Sequence, residues 1–382
     1  MTDLTAQLAH LQTPCLLLDE AKMARNVTRM QARAEQLGVT LRPHLKTSKS
    51  IEVARRTLTG GTGPATVSTL AEAEAFAAAG LRDILYAVGI TPHKLGRVLA
   101  LRASGCDLTI LLDSLPQAEA VAAAARASGQ AIPSFIEIDS DGHRGGLQAG
   151  DAALIEIGKL LEDSGAGLRG VLTHAGESYG VSGTQAHERF SEKERDATVS
   201  AAEALRAAGL PCPVVSVGST PTAVAARDLT GVTELRAGVF AFFDLVMAGI
   251  GACSIDDIAL SVLATVIGHQ PERGWILIDA GWMAMSRDRG TAAQAVDQAY
   301  GLVCDAQGNL LEDLILLKTN QEHGIIARRD GAAGPLPDFP IGAQLRILPN
   351  HACATAAQFD RYHVLPAKGA APLQEWPRFG GW

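Results

Sequence analysis

Residues Pro64–Val88 read PATVSTLAEAEAFAAAGLRDILYAV. A short run with Thr66 and Val67 gives way after Thr69 to an Ala-, Glu- and Leu-rich stretch, Leu70–Ala79. Gly80 ends that stretch before a second apolar run, Asp83–Val88. The order predicts strand, helix, strand: the apolar runs suit extended chain, the Ala-rich segment suits a helix, Thr69 suits its N-cap and Gly80 a left-handed C-cap. A helix joining two strands makes them parallel neighbours.

The same unit recurs in both directions, from Asp19 to about Asp244. Strands are expected at LRPHLK ending at Lys46, PATVST, DILYAV, DLTILLD, SFIEID, GVLTHA, PVVSVG and VTELRAGVFAF. Helices are expected over Glu20–Leu37, Ser48–Leu58, Leu70–Ala79, Pro92–Ala103, Ser114–Ser128, Asp151–Leu161, Gln185–Ala208 and Thr222–Asp228. Gly105, Gly129 and Gly209 follow their helices as Gly80 does. Eight such units point to an α/β fold of the (β/α)8 TIM-like barrel type, with a doubly wound open sheet as the alternative. After Gly251 the helical periodicity gives way to apolar runs such as IALSVLATVIGH, GWILIDAG, QLRILPN and RYHVLP, separated by Gly, Pro and Asp. These predict a second, β-rich domain. The expected division is 19–245 for the barrel and 246–382, with 1–18, for the β-rich domain. CLLLD at Cys15–Asp19 could pair with either.

Composition excludes several classes of function. Of 382 residues, 47% are hydrophobic and 19% charged, which supports a large core and excludes disorder as the main state. The net charge of −8 and the lack of any Lys/Arg run leave no basis for binding nucleic acid or anionic lipid. The longest uncharged stretch, Ala207–Ala226, contains Pro211, Pro213 and Pro221, so no membrane span is expected. Six scattered cysteines without a CxxC, and an N-terminus without a signal pattern, predict reduced thiols and a cytoplasmic location.

Two places on the barrel suggest chemistry. Lys46 closes the first strand, and barrel enzymes build their sites from strand C-terminal ends. Most lysines in such a place end in solvent, as Lys49 is expected to; an amine shielded in the barrel mouth would instead be a Schiff-base nucleophile. The segment VVSVGSTPTAV ends the seventh strand and opens a helix, with Gly218 for close backbone approach, Ser219 and Thr220 for hydroxyls and Pro221 for the first turn. Gly-Ser-Thr before a helix is common as an ordinary connection. It is also a phosphate cradle, and phosphate sites in these barrels follow strands seven and eight. Gly238 on the eighth strand would add a second backbone contact.

A lysine and a phosphate cradle in one barrel mouth suggest pyridoxal 5'-phosphate. The chain resembles the barrel-type (fold type III) pyridoxal-phosphate enzymes of the alanine racemase-like superfamily, in the branch holding D-threonine aldolases and D-serine dehydratases. TPCLLLD, RPHLKTSKS, DGHRGG, THAGESY, VGSTPT, ELRAGVF and LPNHACAT carry the resemblance along nearly the whole chain. It implies Lys46 as the Schiff-base lysine and Gly218, Ser219, Thr220, Gly238 and Val239 at the phosphate. It further implies Arg144 near the phenolic oxygen and His174 packed against the ring, with Tyr179 or Arg236 at the pyridine nitrogen. His174 could equally be a hydrogen-bonded core histidine.

His351 and Cys353 form an HxC pair. Read as strand residues i and i+2, they share a face and can meet one divalent metal ion, while leaving positions open for substrate. An isolated HxC is more often a buried cysteine beside an incidental histidine. In this branch, however, the resemblance implies a His-x-Cys pair for dehydratases and His-x-Asp for aldolases. Zn²⁺, Mn²⁺ and Co²⁺ all suit such a site. Ser286, Arg287, Asp288, Gln321 and His323 are weaker candidates for contacts to substrate carboxylate or to the ligands. The implied activity is dehydration of a small D-3-hydroxyamino acid, such as 3-hydroxyaspartate or D-serine, to a 2-oxo acid and ammonia, by a homodimer. Retro-aldol cleavage to glycine and an aldehyde, and cofactor carriage without catalysis, are the alternatives.

Overall fold

The computed structural model describes residues 4–332, 334–367 and 371–382. The chain divides into two compact units. One is Thr28–Gly238 with Phe379–Trp382; the other is the N-terminal segment through Val27 with Val239–Arg378.

The first unit is a parallel barrel. Its strands are Thr40–Leu41, Ala65–Val67, Asp83–Gly89, Asp107–Leu112, Ser134–Ile138, Leu168–Thr173, Val214–Val217 and Glu234–Leu235. Each pairs in parallel with its neighbour in the chain, except that the first pairs with the last, Thr40 opposite Glu234 and Leu41 opposite Leu235. A bridge between His44 and Thr66 closes the ring. There the Leu45 N–H donates to the Thr66 carbonyl at 2.8 Å, and the Thr66 N–H to the Pro43 carbonyl at 2.9 Å. Closure makes this a (β/α)8 barrel and excludes the open doubly wound sheet. Apolar residues such as Leu85, Leu111, Phe135 and Leu172 cluster in its core.

Local signals in the sequence explain the elements between. Thr69 accepts the Glu72 N–H and caps the helix Leu70–Ala78, while Gly80, Gly105, Gly129 and Gly209 all have positive φ just past their helices. Two end strands are shorter than expected. The first is assigned only Thr40–Leu41, yet its backbone pairing continues to Leu45, so Lys46 is the first residue past the ladder. The last stops at Leu235, and Val239–Ala241 is a 3-10 turn.

The second unit is built on a nine-stranded sheet. Leu260–Gln270, Trp275–Ile278, Gly324–Arg328, Leu310–Thr319, Gly301–Cys304 and Gln344–Pro349 form an antiparallel ring, because Leu260–Gln270 pairs with both Trp275–Ile278 and Gln344–Pro349. Cys15–Asp19 extends from Leu260–Gln270 and pairs in parallel with Arg361–Leu365, beyond which lies Gln374–Pro377. CLLLD therefore belongs to this sheet. No helix among the described residues is long and apolar enough to cross a membrane. The stretch Ala207–Ala226 instead contains the strand Val214–Val217 and the helix Thr220–Ala225. None of the six cysteines forms a disulfide.

Candidate active site

Lys46 sits in the turn after the first barrel strand. Its backbone N–H donates to His44 Nδ1 at 3.3 Å, and its ammonium has no hydrogen-bond or ion-pair partner among the described residues. The shielding expected of a barrel-mouth amine is absent, because the side chain is exposed. Accepting at Nδ1 leaves the proton on His44 Nε2, 3.4 Å from Ser68 Oγ. Burial, with Lys46 and Arg236 nearby, holds His44 well below the usual histidine range, so this neutral tautomer persists.

The seventh strand ends in a turn shaped by close contacts. Gly218 has φ 137°, and a Cβ there would lie 2.0 Å from the Arg236 carbonyl oxygen, so no other residue fits. Gly238 is similarly tight, since a Cβ would meet the His44 carbonyl oxygen at 2.9 Å. Ser219 and Thr222 form a capping box at the start of the helix Thr220–Ala225. Ser219 Oγ also lies 2.9 Å from Ser178 Oγ. Thr220 Oγ1 is different: it is buried and has no hydrogen-bond partner. A buried hydroxyl left unsatisfied beside a glycine turn is the donor set a phosphate requires, so these residues fit the cofactor's 5'-phosphate.

The remaining barrel candidates fall into two groups. His174 Nδ1–H donates to the Gly218 carbonyl at 3.1 Å, its ring lies 6.1 Å from that of Tyr179, and burial pushes its pKa down to about 3. His174, Tyr179 and Gly218 are thus brought together. Arg144 is half-exposed and reaches Glu137 at 3.3 Å. Arg236 is buried, donating to Ser216 Oγ at 2.6 Å and to the Thr173 carbonyl. Burial lowers its pKa to about 10, against the opposing charges of Glu234, Glu194 and Glu137.

In the second unit, Val239 opens the 3-10 turn Val239–Ala241. His351 and Cys353 are not on a strand. His351, with extended backbone, is the N-cap of the helix Ala352–Ala356, and Cys353 lies in its first turn. Their side chains still meet, through a hydrogen bond, because the chain turns at the cap. Asp288 Oδ2 lies 2.6 Å from His351 Nδ1, which leaves Nε2 as the ring nitrogen available to a metal. Burial alone would lower the His351 pKa, but the bonds to Asp288 and Cys353 outweigh it and raise it to about 11. Buried Asp244 accepts the N–H groups of Ala352 and Met247, both at 2.9 Å, and so anchors the helix that carries Cys353. An imidazole and a thiol on one turn form a donor set that suits a divalent transition metal. No cluster of three or more ligating residues occurs among the described residues. Ser286 Oγ accepts the Asp288 N–H, Arg287 stacks on Trp282, and Gln321 and His323 are exposed.

A family model described as alanine racemase, N-terminal domain, matches residues 18–246, and a putative serine dehydratase domain matches 259–365. The chain belongs to the alanine racemase N-terminal domain family. Among the members it resembles, D-threo-3-hydroxyaspartate dehydratase of Delftia sp. (strain HT23) is 57% identical over 97% of this chain and 98% of that one. The solved structure of the Delftia enzyme superposes with a TM-score of 0.95, covering 98% of this chain and all of the other. A cysteine-to-alanine variant of D-threo-3-hydroxyaspartate dehydratase, solved in a metal-free form, gives the same TM-score. D-serine dehydratase of Schizosaccharomyces pombe is 31% identical, covering 97% of this chain and 92% of that one. D-threonine aldolase from Filomicrobium marinum is 26% identical with a TM-score of 0.81, covering 97% and 96%.

Three residues of this family member escaped the sequence reading or were underrated by it. His44 lies inside the quoted RPHLK motif but was given no role. Asp288 was one polar residue of several. Glu194 gave no signal at all, since it is one of several acidic residues along the helix Thr184–Ala207.

Proposed function

We propose that this chain is a pyridoxal-phosphate- and divalent-metal-dependent dehydratase of D-3-hydroxyamino acids, acting best on D-threo-3-hydroxyaspartate to give oxaloacetate and ammonia. The observation that carries the reading is the 57% identity to the Delftia dehydratase, which spans both units.

Pyridoxal phosphate, when bound, supplies a sink for the electron pair left when Cα loses its proton. A divalent metal, when bound, supplies a Lewis acid that makes the β-hydroxyl a better leaving group. The chain's own residues do the rest. The unpartnered amine of Lys46 would tether the cofactor and would serve as the base for the substrate's Cα proton. The Ser219 and Thr220 hydroxyls would hold the phosphate, with Gly218 and Gly238 allowing it to approach the backbone closely and Val239 contributing from its turn. Arg144 would neutralise the phenolic oxygen and His174 would pack against the ring. Tyr179 would serve the pyridine nitrogen in preference to Arg236, whose guanidinium is held by Ser216 and Thr173. His351 Nε2 and the Cys353 thiolate would ligate the metal. In this reading residues 19–245 hold the cofactor, 246–382 with 1–18 hold the metal, and the enzyme is a cytoplasmic homodimer.

Asp288 fixes the His351 ring through its Nδ1 proton, so Asp288→Asn should weaken metal binding by about 10–100-fold. Competition against a chromophoric chelator measures this, and an unchanged affinity would remove Asp288 from the site.

The function itself is tested by product analysis with D-threo-3-hydroxyaspartate, D-serine and D-threonine, each with and without EDTA. Ammonia with oxaloacetate or pyruvate, lost on chelation, is the expected result. Glycine with glyoxylate or acetaldehyde, and no ammonia, would make the chain an aldolase. Bound cofactor without turnover would make it a carrier.

A further inference from the structure

Glu194 is 1% exposed and has no part in the chemistry above. Its Oε1 accepts the Gly218 N–H at 2.8 Å and the Ala175 N–H at 3.1 Å. Those two residues follow adjacent strands, Val214–Val217 and Leu168–Thr173. The Thr222 hydroxyl makes a third bond to the same carboxyl. One side chain thus ties the phosphate turn to the loop that carries His174 and Tyr179.

A glutamine would offer the same acceptor oxygen without a charge, so the presence of an acid needs a reason. A buried carboxylate next to an arriving phosphate dianion is repelled at close range in a medium of low dielectric, and protonation relieves this. We propose that Glu194 is a positioning residue that couples proton uptake to cofactor capture, holding the Gly218 and Ala175 turns as a carboxylate before the phosphate binds and as a neutral acid afterwards. The inference rests on the cofactor reading above.

The surrounding ionisable groups leave this role to Glu194. Burial raises its pKa to about 7, against the opposing bonds from Gly218, Thr222 and Ala175. Arg236, the nearest cation, stays charged with a pKa of about 10 and is balanced by Glu234 and Glu137. His174, held on the Gly218 carbonyl, stays neutral with a pKa of about 3. His187, on the same helix as Glu194, hydrogen-bonds the Val181 carbonyl through Nε2.

The test is calorimetric titration of the cofactor-free protein with pyridoxine 5'-phosphate, which carries the phosphate but no aldehyde to react with Lys46. At pH 8 that phosphate is a dianion, its second pKa being about 6. Repeating the titration in buffers of different ionisation enthalpy counts protons directly. The wild type should take up most of one proton, with affinity falling by up to about tenfold per pH unit above neutrality. Glu194→Gln should abolish the uptake and flatten the pH profile, yet keep the wild-type affinity measured at low pH. Glu194→Ala should bind weakly at every pH. Zero uptake by the wild type, or equal uptake by wild type and E194Q, would overturn the proposal. If E194Q fails to fold, the wild-type count is repeated with glycerol 3-phosphate, which has no ionising ring, and zero uptake there would overturn the proposal. Absence of any binding by the folded wild type would instead sink the cofactor reading, and this inference with it.

Discussion

Lys46→Ala should abolish the visible absorption of the lysine-linked cofactor and lower ammonia release by at least about 10²–10⁴-fold, the range for loss of a positioned proton-transfer group. The effect should be almost purely chemical. Lys46 is exposed and its ammonium has no partner, so the fold should change stability by no more than about 0.5 kcal/mol. Thermal unfolding of the cofactor-free variant separates the two effects. A visible band that survived in Lys46→Ala would move the covalent link to another amine, and Lys49 is a poor substitute because its ammonium is paired with Glu72 at 3.2 Å.

Cys353→Ala should leave that absorption band intact while removing most of the turnover. Lewis-acid assistance to a leaving group is worth several kcal/mol, so losing the proposed thiolate ligand should lower ammonia release by on the order of 10²-fold or more. EDTA on the wild type should reproduce the loss, and added metal should restore the wild type but not the variant. Because Cys353 lies in a helix and alanine favours that conformation, a folding defect should not confuse the result. Turnover that survived both the substitution and the chelator would remove the metal from the mechanism.

How much was legible in the sequence varied with the range of the interaction. The eight strand-helix units were readable because each rests on local periodicity and on glycines such as Gly80 and Gly129 that close their own helices. The place of Lys46 just past the first barrel strand was readable because one strand's end defines it, whereas its role came from the family resemblance. The His351–Cys353 pair was found for the wrong local reason. Spacing alone cannot tell a strand from the cap and first turn of a helix, since both bring residues i and i+2 near each other. Glu194 was illegible because its significance lies in two backbone N–H groups, at Gly218 and Ala175, that are distant from it in the chain. Asp288 is a similar case, since its meaning comes from a histidine 63 positions away.

The placement of Cys15–Asp19 also bears on how the chain acquires its structure. This strand precedes the barrel in the sequence, yet its partners, Leu260–Gln270 and Arg361–Leu365, both follow it. The apolar run Leu16–Leu18 is fully buried once paired, so it must wait, unpaired, while the barrel is synthesised between it and its neighbours. Such sequence-distant pairing is slow and leaves a sticky segment open to association during synthesis. Removal of Arg361–Leu365 would therefore strip one edge of Cys15–Asp19 of its ladder, while the other edge stayed paired with Leu260–Gln270, and leave that edge open to association.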